Sequence, residues 1–372
     1  MQDLGREFRP EFTVPGANLR DVLEERGIKV VEFAQRCGRP TKTISEIISG
    51  DTSITPETAL QFERVLGKPS AELWVRWEAS YRLKLAEEQE SKKLIKLYDW
   101  AKSFPYKSLA ARGYIELKDD KVEFVRELLK FFGVNDLTSW ANLSFGQDRA
   151  VTFRKAKKHE GNNHAISAWL RVGALKARSV NANPYDEKKF RAKLTEFRCL
   201  TNLNRNEFEP KLIELCRDCG VILVIEDEMP GTRLSGAARW LTKDRPLIQL
   251  STRYAHEDQF WFSFFHEVAH ILLHSKKSLF VDEDNKGEDG DIEREANMFA
   301  EQCLLPKQVL DSFYKEYGLP GSRPAPHNEK NIREFAKKVG VSPGIVFAQM
   351  RRRYPNLYNN ALGKKLIRNI RT

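Results

Sequence analysis

Long apolar runs are missing from this chain. No stretch of about eighteen uncharged apolar residues occurs in its 372 residues, so no membrane span is expected. The first residues, Met1-Gln2-Asp3-Leu4-Gly5-Arg6-Glu7, lack the basic-then-apolar pattern of an export signal, which predicts a cytoplasmic protein with no membrane partner. Cysteine is sparse: five scattered residues, an odd number, exclude a disulfide framework and fit a reducing compartment. Cys216-Arg217-Asp218-Cys219 has no second pair to complete a structural zinc site, so both cysteines are read as packed residues near a helix end. The acidic run at 282–290 lacks the ligand spacing of an EF-hand and is read as a flap rather than a calcium loop.

What is present suits a folded chain of two or three domains. Hydrophobic residues make up 41% of it, and a net charge of +10 makes a polyanionic partner plausible without identifying one.

After an unpatterned arm at 1–15, five helical segments follow in short order. Asn18 is placed to cap a helix over residues 19–26 that ends at Gly27. Residues 30–36 carry Val31 and Ala34 inward, and residues 41–48 carry Ile44, Ile47 and Ile48 on one face. Thr55-Pro56-Glu57 caps a helix running to Leu66, and a last helix from Ser70 carries Leu73, Trp74, Trp77, Tyr81 and Leu85. Two short helices meeting at a tight turn form the helix-turn-helix plan, with 30–36 supporting and 41–48 reading. Arg39 in the turn, with Thr41, Lys42, Thr43, Ser45 and Glu46 on the outer face, would then meet base edges or phosphates of double-stranded promoter DNA.

The runs Ile54-Thr55-Pro56-Glu57-Thr58-Ala59-Leu60, Leu66-Gly67, Leu73-Trp74 and Ala79-Ser80-Tyr81 recur in this order in a known family. Over about residues 12–85 the chain resembles the HigA-type antitoxin domain of the Xre helix-turn-helix family. The resemblance implies a homodimeric repressor that autoregulates a toxin–antitoxin operon and partners a cognate toxin. Where that family has a basic residue after Ala59-Leu60, this chain has Gln61, which predicts one weaker backbone contact.

Residues 86–120 mix charges of both signs and read as a solvated helical linker. Two amphipathic helices follow, at 122–132 and 165–177, with the basic cluster Arg154-Lys155-Ala156-Lys157-Lys158 between them read as an exposed face. Helices at 190–200 and 207–219 precede strands at 220–225 and 247–251, with residues 236–241 as a third strand.

The chemistry is carried by Trp261-Phe262-Ser263-Phe264-Phe265-His266-Glu267-Val268-Ala269-His270-Ile271-Leu272-Leu273-His274. Residues four apart share a helix face, so His266 and His270 can grip one metal ion with Glu267 beside it. The apolar flanks predict a buried helix, where unpaired imidazoles and a carboxylate would be costly without a cation. A catalytic zinc takes three protein ligands, and the third is sought in Asp291-Ile292-Glu293-Arg294-Glu295-Ala296-Asn297. Glu293 is preferred and Glu295 is its rival, because Glu293 and Asn297 share a face at the spacing seen in gluzincin metallopeptidases. Asn297 would then hydrogen-bond the far nitrogen of a ligating histidine. His274 drifts round the helix and is read as a supporting residue rather than a ligand. Glu267 is the general base, and Tyr254, His256 and Arg239 are unranked candidates for stabilising an oxyanion.

Residues 260–274, the Glu293-Arg294-Glu295-Ala296-Asn297 run, Leu304-Leu305-Pro306 and the upstream Leu234-Ser235-Gly236-Ala237-Ala238-Arg239-Trp240 together resemble the ImmA/IrrE family of zinc metallopeptidases. That likeness, over about 185–310, implies one Zn2+ per chain and cleavage of repressor-type proteins. Beyond it, helices near 332–339 and 342–352 lead to a tail rich in Arg and Lys, of the kind that is commonly disordered or touches nucleic acid.

The expected architecture is mainly α and multi-domain: an all-α helix-turn-helix domain at 1–90, a helical connecting region at 91–184, an α+β zincin-like domain with a small sheet at 185–310, and a helical C-terminal extension at 311–372. The expected function is a DNA-binding antitoxin and regulator carrying a zinc endopeptidase. The alternative is the same regulator with its zinc domain serving as a non-catalytic sensor or toxin-binding scaffold.

Overall fold

The computed structural model describes residues 14–143, 160–253, 255–274, 280–281, 290–318, 327–359 and 361–370. The arm up to residue 13, the 154–158 cluster, Tyr254 and the acidic residues 282–289 lie outside these. The chain divides into two compact units, Met1–Tyr98 and Asp99–Thr372.

The first unit is all helix: α1 (Pro15–Glu25), α2 (Val30–Arg36), α3 (Thr41–Ser49), α4 (Pro56–Leu66) and α5 (Ala71–Leu94). Helix α1 starts a turn before the expected Asn18 cap, with Pro15 at its first position. Gly16 then packs on α3 so closely that a β-carbon there would stand 1.9 Å from the Ile47 carbonyl oxygen. The pattern of apolar residues does not reveal such a contact. Val31, expected inside, is 53% exposed, and Phe33 takes the inward place beside Ala34. Ile44, Ile47 and Ile48 are buried as expected, and Thr55 caps α4 by accepting from the Thr58 amide at 3.2 Å. Phe62 joins the helices, its ring 5.1 Å from Phe33 and 5.7 Å from Trp74.

The second unit contains helices α6 (Lys121–Phe132), α7 (Glu160–Arg178) and α8 (Arg205–Asp218), then strands β1 (Ile222–Glu226), β2 (Gly236–Thr242) and β3 (Arg245–Ser251). Helix α9 (Glu257–Leu273), strand β4 (Phe280–Val281) and helices α10 (Gly290–Leu304), α11 (Lys307–Tyr317), α12 (Glu329–Val339) and α13 (Pro343–Arg353) follow. The helix expected over 190–200 is two, Glu187–Ala192 and Leu194–Cys199. In one straight helix residues seven apart are about 10.5 Å apart along the axis. The two helices meet at Lys193, and the buried rings of Phe190 and Phe197 lie 5.7 Å apart.

The sheet has order β1-β3-β2-β4, with β1 parallel to β3 and β2 antiparallel to both its neighbours. Alternate residues face opposite sides of a strand. Leu223, Ile248 and Leu250 therefore join the core around α9, while Ile222, Val224 and Leu247 pack with Ala177 of α7. Sandwiching the sheet between α7 and α9 brings the end of the connecting region into the same body as the metal-motif helix.

The C-terminal extension is part of that body too. Phe313, Phe335, Phe347, Met350, Leu366 and Ile370 belong to the same buried cluster as Phe260 and Trp261, so no boundary falls near residue 310. Nor is the basic tail free. Arg351 pairs with Asp258 at 2.7 Å, Arg352 with Glu301 at 2.8 Å, Arg353 with Asp311 and Arg368 with Glu257. Glu257, fully buried at the start of α9, also accepts from Ser342 Oγ at 2.8 Å and from the Arg368 amide at 3.1 Å. Taking Arg368 away would strand a buried carboxylate, at a cost of about 3 kcal/mol or more. Arg368 thus holds the first turn of α9 in place, and charge composition alone cannot distinguish such a clasp from a solvated tail.

Candidate metal centre and nucleic-acid interface

Helix α9 is apolar nearly all round and is buried from Phe260 through Leu272 except at Phe262, as a helix in the middle of a domain should be. Among its buried polar residues are His266, Glu267 and His270, none more than 2% exposed. Helix α10 packs alongside, and Glu293 and Asn297, one turn apart, face the two histidines. Glu293 Oε2 lies 3.1 Å from His266 Nε2, Glu293 Oε1 lies 3.6 Å from His270 Nε2, and the two Nε2 atoms are 2.9 Å apart. These three donor residues present ligand atoms within 4.8 Å of one another, the one such group of His, Cys, Asp and Glu among the described residues.

The far nitrogens explain which tautomers face inward. His266 Nδ1–H donates to Asn297 Oδ1 at 3.1 Å, leaving the Nε2 lone pair directed at the cluster. His270 Nδ1–H is 2.9 Å from His274 Nδ1, and His274 Nε2–H donates to Glu295 Oε2 at 3.2 Å. Glu295, the rival ligand, therefore anchors His274, and Glu293 alone of the two reaches the cluster. His274 does so because it has left the helix: its backbone is extended (φ −111°, ψ 170°), so the four-residue helical spacing no longer describes it. Burial, with lesser contributions from the neighbouring His266 and His274 rings, pushes the His270 pKa down to about 2, so the ring is neutral at physiological pH. Two imidazole nitrogens and a carboxylate converging in a buried place form the donor set that suits Zn2+. A cation there satisfies all three acceptors at once.

Glu267 is fully buried and points at strand β2. A β-carbon on Gly236 would stand 2.5 Å from Glu267 Oε1 and 2.8 Å from its Cγ. Gly236 was legible only as part of a family pattern, yet an isolated glycine in a strand is itself a sign that another group comes close. A Gly236→Ala variant should push the Glu267 carboxylate off its line, since the added methyl would crowd its Oε1 and Cγ. Neither remaining candidate for the oxyanion reaches this place. Arg239 lies on the opposite face of β2 and donates to Leu170 O of α7, while His256 caps α9 ten residues before His266 and bridges to Asn369. Tyr254 lies outside the described residues.

In the first unit, α3 buries its three isoleucines and leaves Thr41, Lys42 and Ser45 exposed, with Thr43 and Glu46 half-buried. Lys42 and Glu46 form a surface pair at 3.8 Å. Glu46 also accepts from Thr52 Oγ1 at 3.3 Å and, through its carbonyl, from the Asp51 and Thr52 amides, so it shapes the turn after α3 as well. Arg39 Nε donates to Gln61 Oε1 at 2.6 Å. The residue that departs from the family pattern thus orients the arginine of the turn.

Comparison with known proteins agrees with both halves. Residues 19–73 match a helix-turn-helix family, and residues 221–348 match the IrrE N-terminal-like domain of peptidase family M78. The chain is 36% identical over 70 residues to virulence-associated protein A of Dichelobacter nodosus, covering 18% of this chain and 69% of that protein. It is 29% identical over 73 residues to the uncharacterized HTH-type transcriptional regulator YddM of Escherichia coli K12, covering 20% of this chain and 77% of that one. A solved structure from Nostoc punctiforme PCC 73102, described as an antidote protein of a plasmid maintenance system, shares 28% identity over 22% of this chain and 90% of its own, with a TM-score of 0.22. The chain thus carries an Xre-type helix-turn-helix domain at residues 19–73, and its residues 221–348 form a domain similar to the IrrE N-terminal-like domain of peptidase family M78.

Proposed function

We propose that this protein is a cytoplasmic DNA-binding antitoxin and regulator of a toxin–antitoxin operon, and that its second unit is a zinc-dependent endopeptidase acting on a repressor or partner protein. The observation that carries the enzymatic half is the convergence of His266, His270 and Glu293 to within 4.8 Å, with Glu267 buried beside them. The regulatory half rests on the exposed outer face of α3 and on the HigA-like sequence pattern of the first unit.

His266 and His270 would each offer Nε2 and Glu293 its carboxylate to one Zn2+ per chain. When bound, the ion supplies Lewis acidity, making a water acidic and polarising a carbonyl. Asn297 and His274 hold the two rings so that the lone pairs stay on target. Glu267 takes a proton from the attacking water on its carboxylate and returns it to the leaving amine nitrogen as the peptide bond breaks. The surrounding apolar helix excludes bulk water, so that proton is not lost to solvent.

For the regulatory half, the partners are double-stranded promoter DNA, a second copy of the chain and a cognate toxin. The DNA is a palindrome with half-sites about 34 Å apart, one helical turn, read by a homodimer. Changing Lys42 and Thr43 together to Ala should weaken binding to the chain's own promoter about tenfold or more, since base and phosphate contacts cost about 1–3 kcal/mol each. An electrophoretic mobility assay at fixed salt measures this, and unchanged binding would remove α3 as the reading helix.

A further inference from the structure

Beyond the metal centre, α10 carries a second feature. Glu293, Asn297 and Glu301 follow one another at four-residue intervals, so the stripe that begins at the metal cluster ends at Glu301 about 12 Å along the helix. There a groove of about 550 Å3 opens between the end of α10, the start of α11 and the end of α13. Its size is that of a ligand pocket. Leu305 and Leu310 form a buried floor, and Met298, 57% exposed, forms an apolar lip. Lys307, Arg352 and Arg353 line it, but Arg352 is paired with Glu301 and Arg353 with Asp311, so Lys307 is the cation left to meet an incoming anion. Lys307 is exposed at the first position of α11, where the helix end adds further positive potential.

The groove is joined to the metal cluster by more than the helix. The Arg352 guanidinium lies 3.6 Å over the Phe262 ring, and that ring is 6.2 Å from the ring of His266. An extended peptide advances about 3.3 Å per residue. A chain whose scissile bond lies at the metal cluster and which runs along α10 would bring a residue three or four positions away into the groove.

We propose that this groove is a specificity subsite of the peptidase, and that it takes an apolar side chain followed by a carboxylate from an extended segment of the substrate protein. The apolar floor and the exposed thioether suit the first, since methionine adapts to varied apolar shapes. Lys307, exposed at the helix start, suits the second. This inference rests on the peptidase reading of the same domain, and the test separates the two.

The test uses the full-length, zinc-loaded chain carrying Glu267→Gln, so that bound peptides are not cut. It is immobilised and panned against a random decapeptide phage library. The expected result is enrichment of an apolar residue followed within two positions by Asp or Glu. Adding Lys307→Glu should shift the enriched acid to Lys or Arg, and adding Met298→Asp should reduce the apolar preference at least tenfold. Both residues are exposed, so unchanged zinc content and melting temperature confirm that the fold is intact. The proposal is overturned if no sequence enriches, if the enriched sequences lack the apolar–acidic pair, or if both variants select as their parent does. It is equally overturned if light scattering shows that Met298→Asp dissolves a dimer seated on this groove. Selection by the Gln variant speaks only to the groove, whereas fragment formation by the parent chain speaks to the peptidase, so either can fail alone.

Discussion

His266→Ala should leave the chain without zinc. Loss of the residues that merely orient a metal-bound histidine costs about 10–100-fold in metal affinity, and loss of a ligand costs more. Here the ligand set is minimal: two imidazoles and one carboxylate, so removing any one leaves two donors in a buried apolar setting. His270→Ala and Glu293→Ala should behave the same way, falling more than about 100-fold in affinity in a chelator competition. Glu295→Ala provides the contrast. Its carboxylate meets His274 rather than the cluster, so that variant should retain one zinc per chain with an affinity loss of about tenfold. Equal losses in the Glu293 and Glu295 variants would refute the assignment of the third ligand.

The second large effect belongs to Glu267. Glu267→Gln keeps the shape of the side chain and leaves His266, His270 and Glu293 untouched, so zinc should remain stoichiometric. The amide accepts no proton at physiological pH, so hydrolysis should fall about 10²- to 10⁴-fold, the usual contribution of a positioned general base. Gly236→Ala should mimic part of this loss without altering the carboxylate, because it displaces the group rather than replacing it. If Glu267→Gln lost zinc as well, the carboxylate would be a ligand and the proposed division of labour would fall.

How much of this was legible in the residues differs from element to element. The isoleucines of α3 lie at helical spacing around a polar face, so both the helix and its orientation followed from periodicity. The His266–His270 pair followed from the four-residue repeat. The four-residue spacing of Glu293 and Asn297 favours Glu293 over Glu295, and in the packing of α10 on α9 Glu293 meets His266 and His270 while Glu295 meets His274. The anchor at Glu295 was missed because His274 steps out of the helix into extended backbone, where a helical projection fails. Phe190 and Phe197 are seven apart, so a continuous helix and two short ones satisfy the same pattern. The tail was misjudged for a different reason. Its arginines have acidic partners tens of residues away, such as Glu257 for Arg368, and charge pairing over that distance leaves no local signal.

The central claim is that the buried group of two histidines and Glu293 serves hydrolysis through Glu267. The direct measurement is to incubate the zinc-loaded full-length chain, and separately its Glu267→Gln variant, with its own helix-turn-helix unit and the proteins of its operon, and to search for cleavage products by mass spectrometry. Defined fragments formed by the parent chain, and absent with the variant at equal zinc content, are the predicted result. Zinc held stoichiometrically by both, with no fragment that depends on Glu267, would contradict the account and leave the domain as a metal-bearing scaffold.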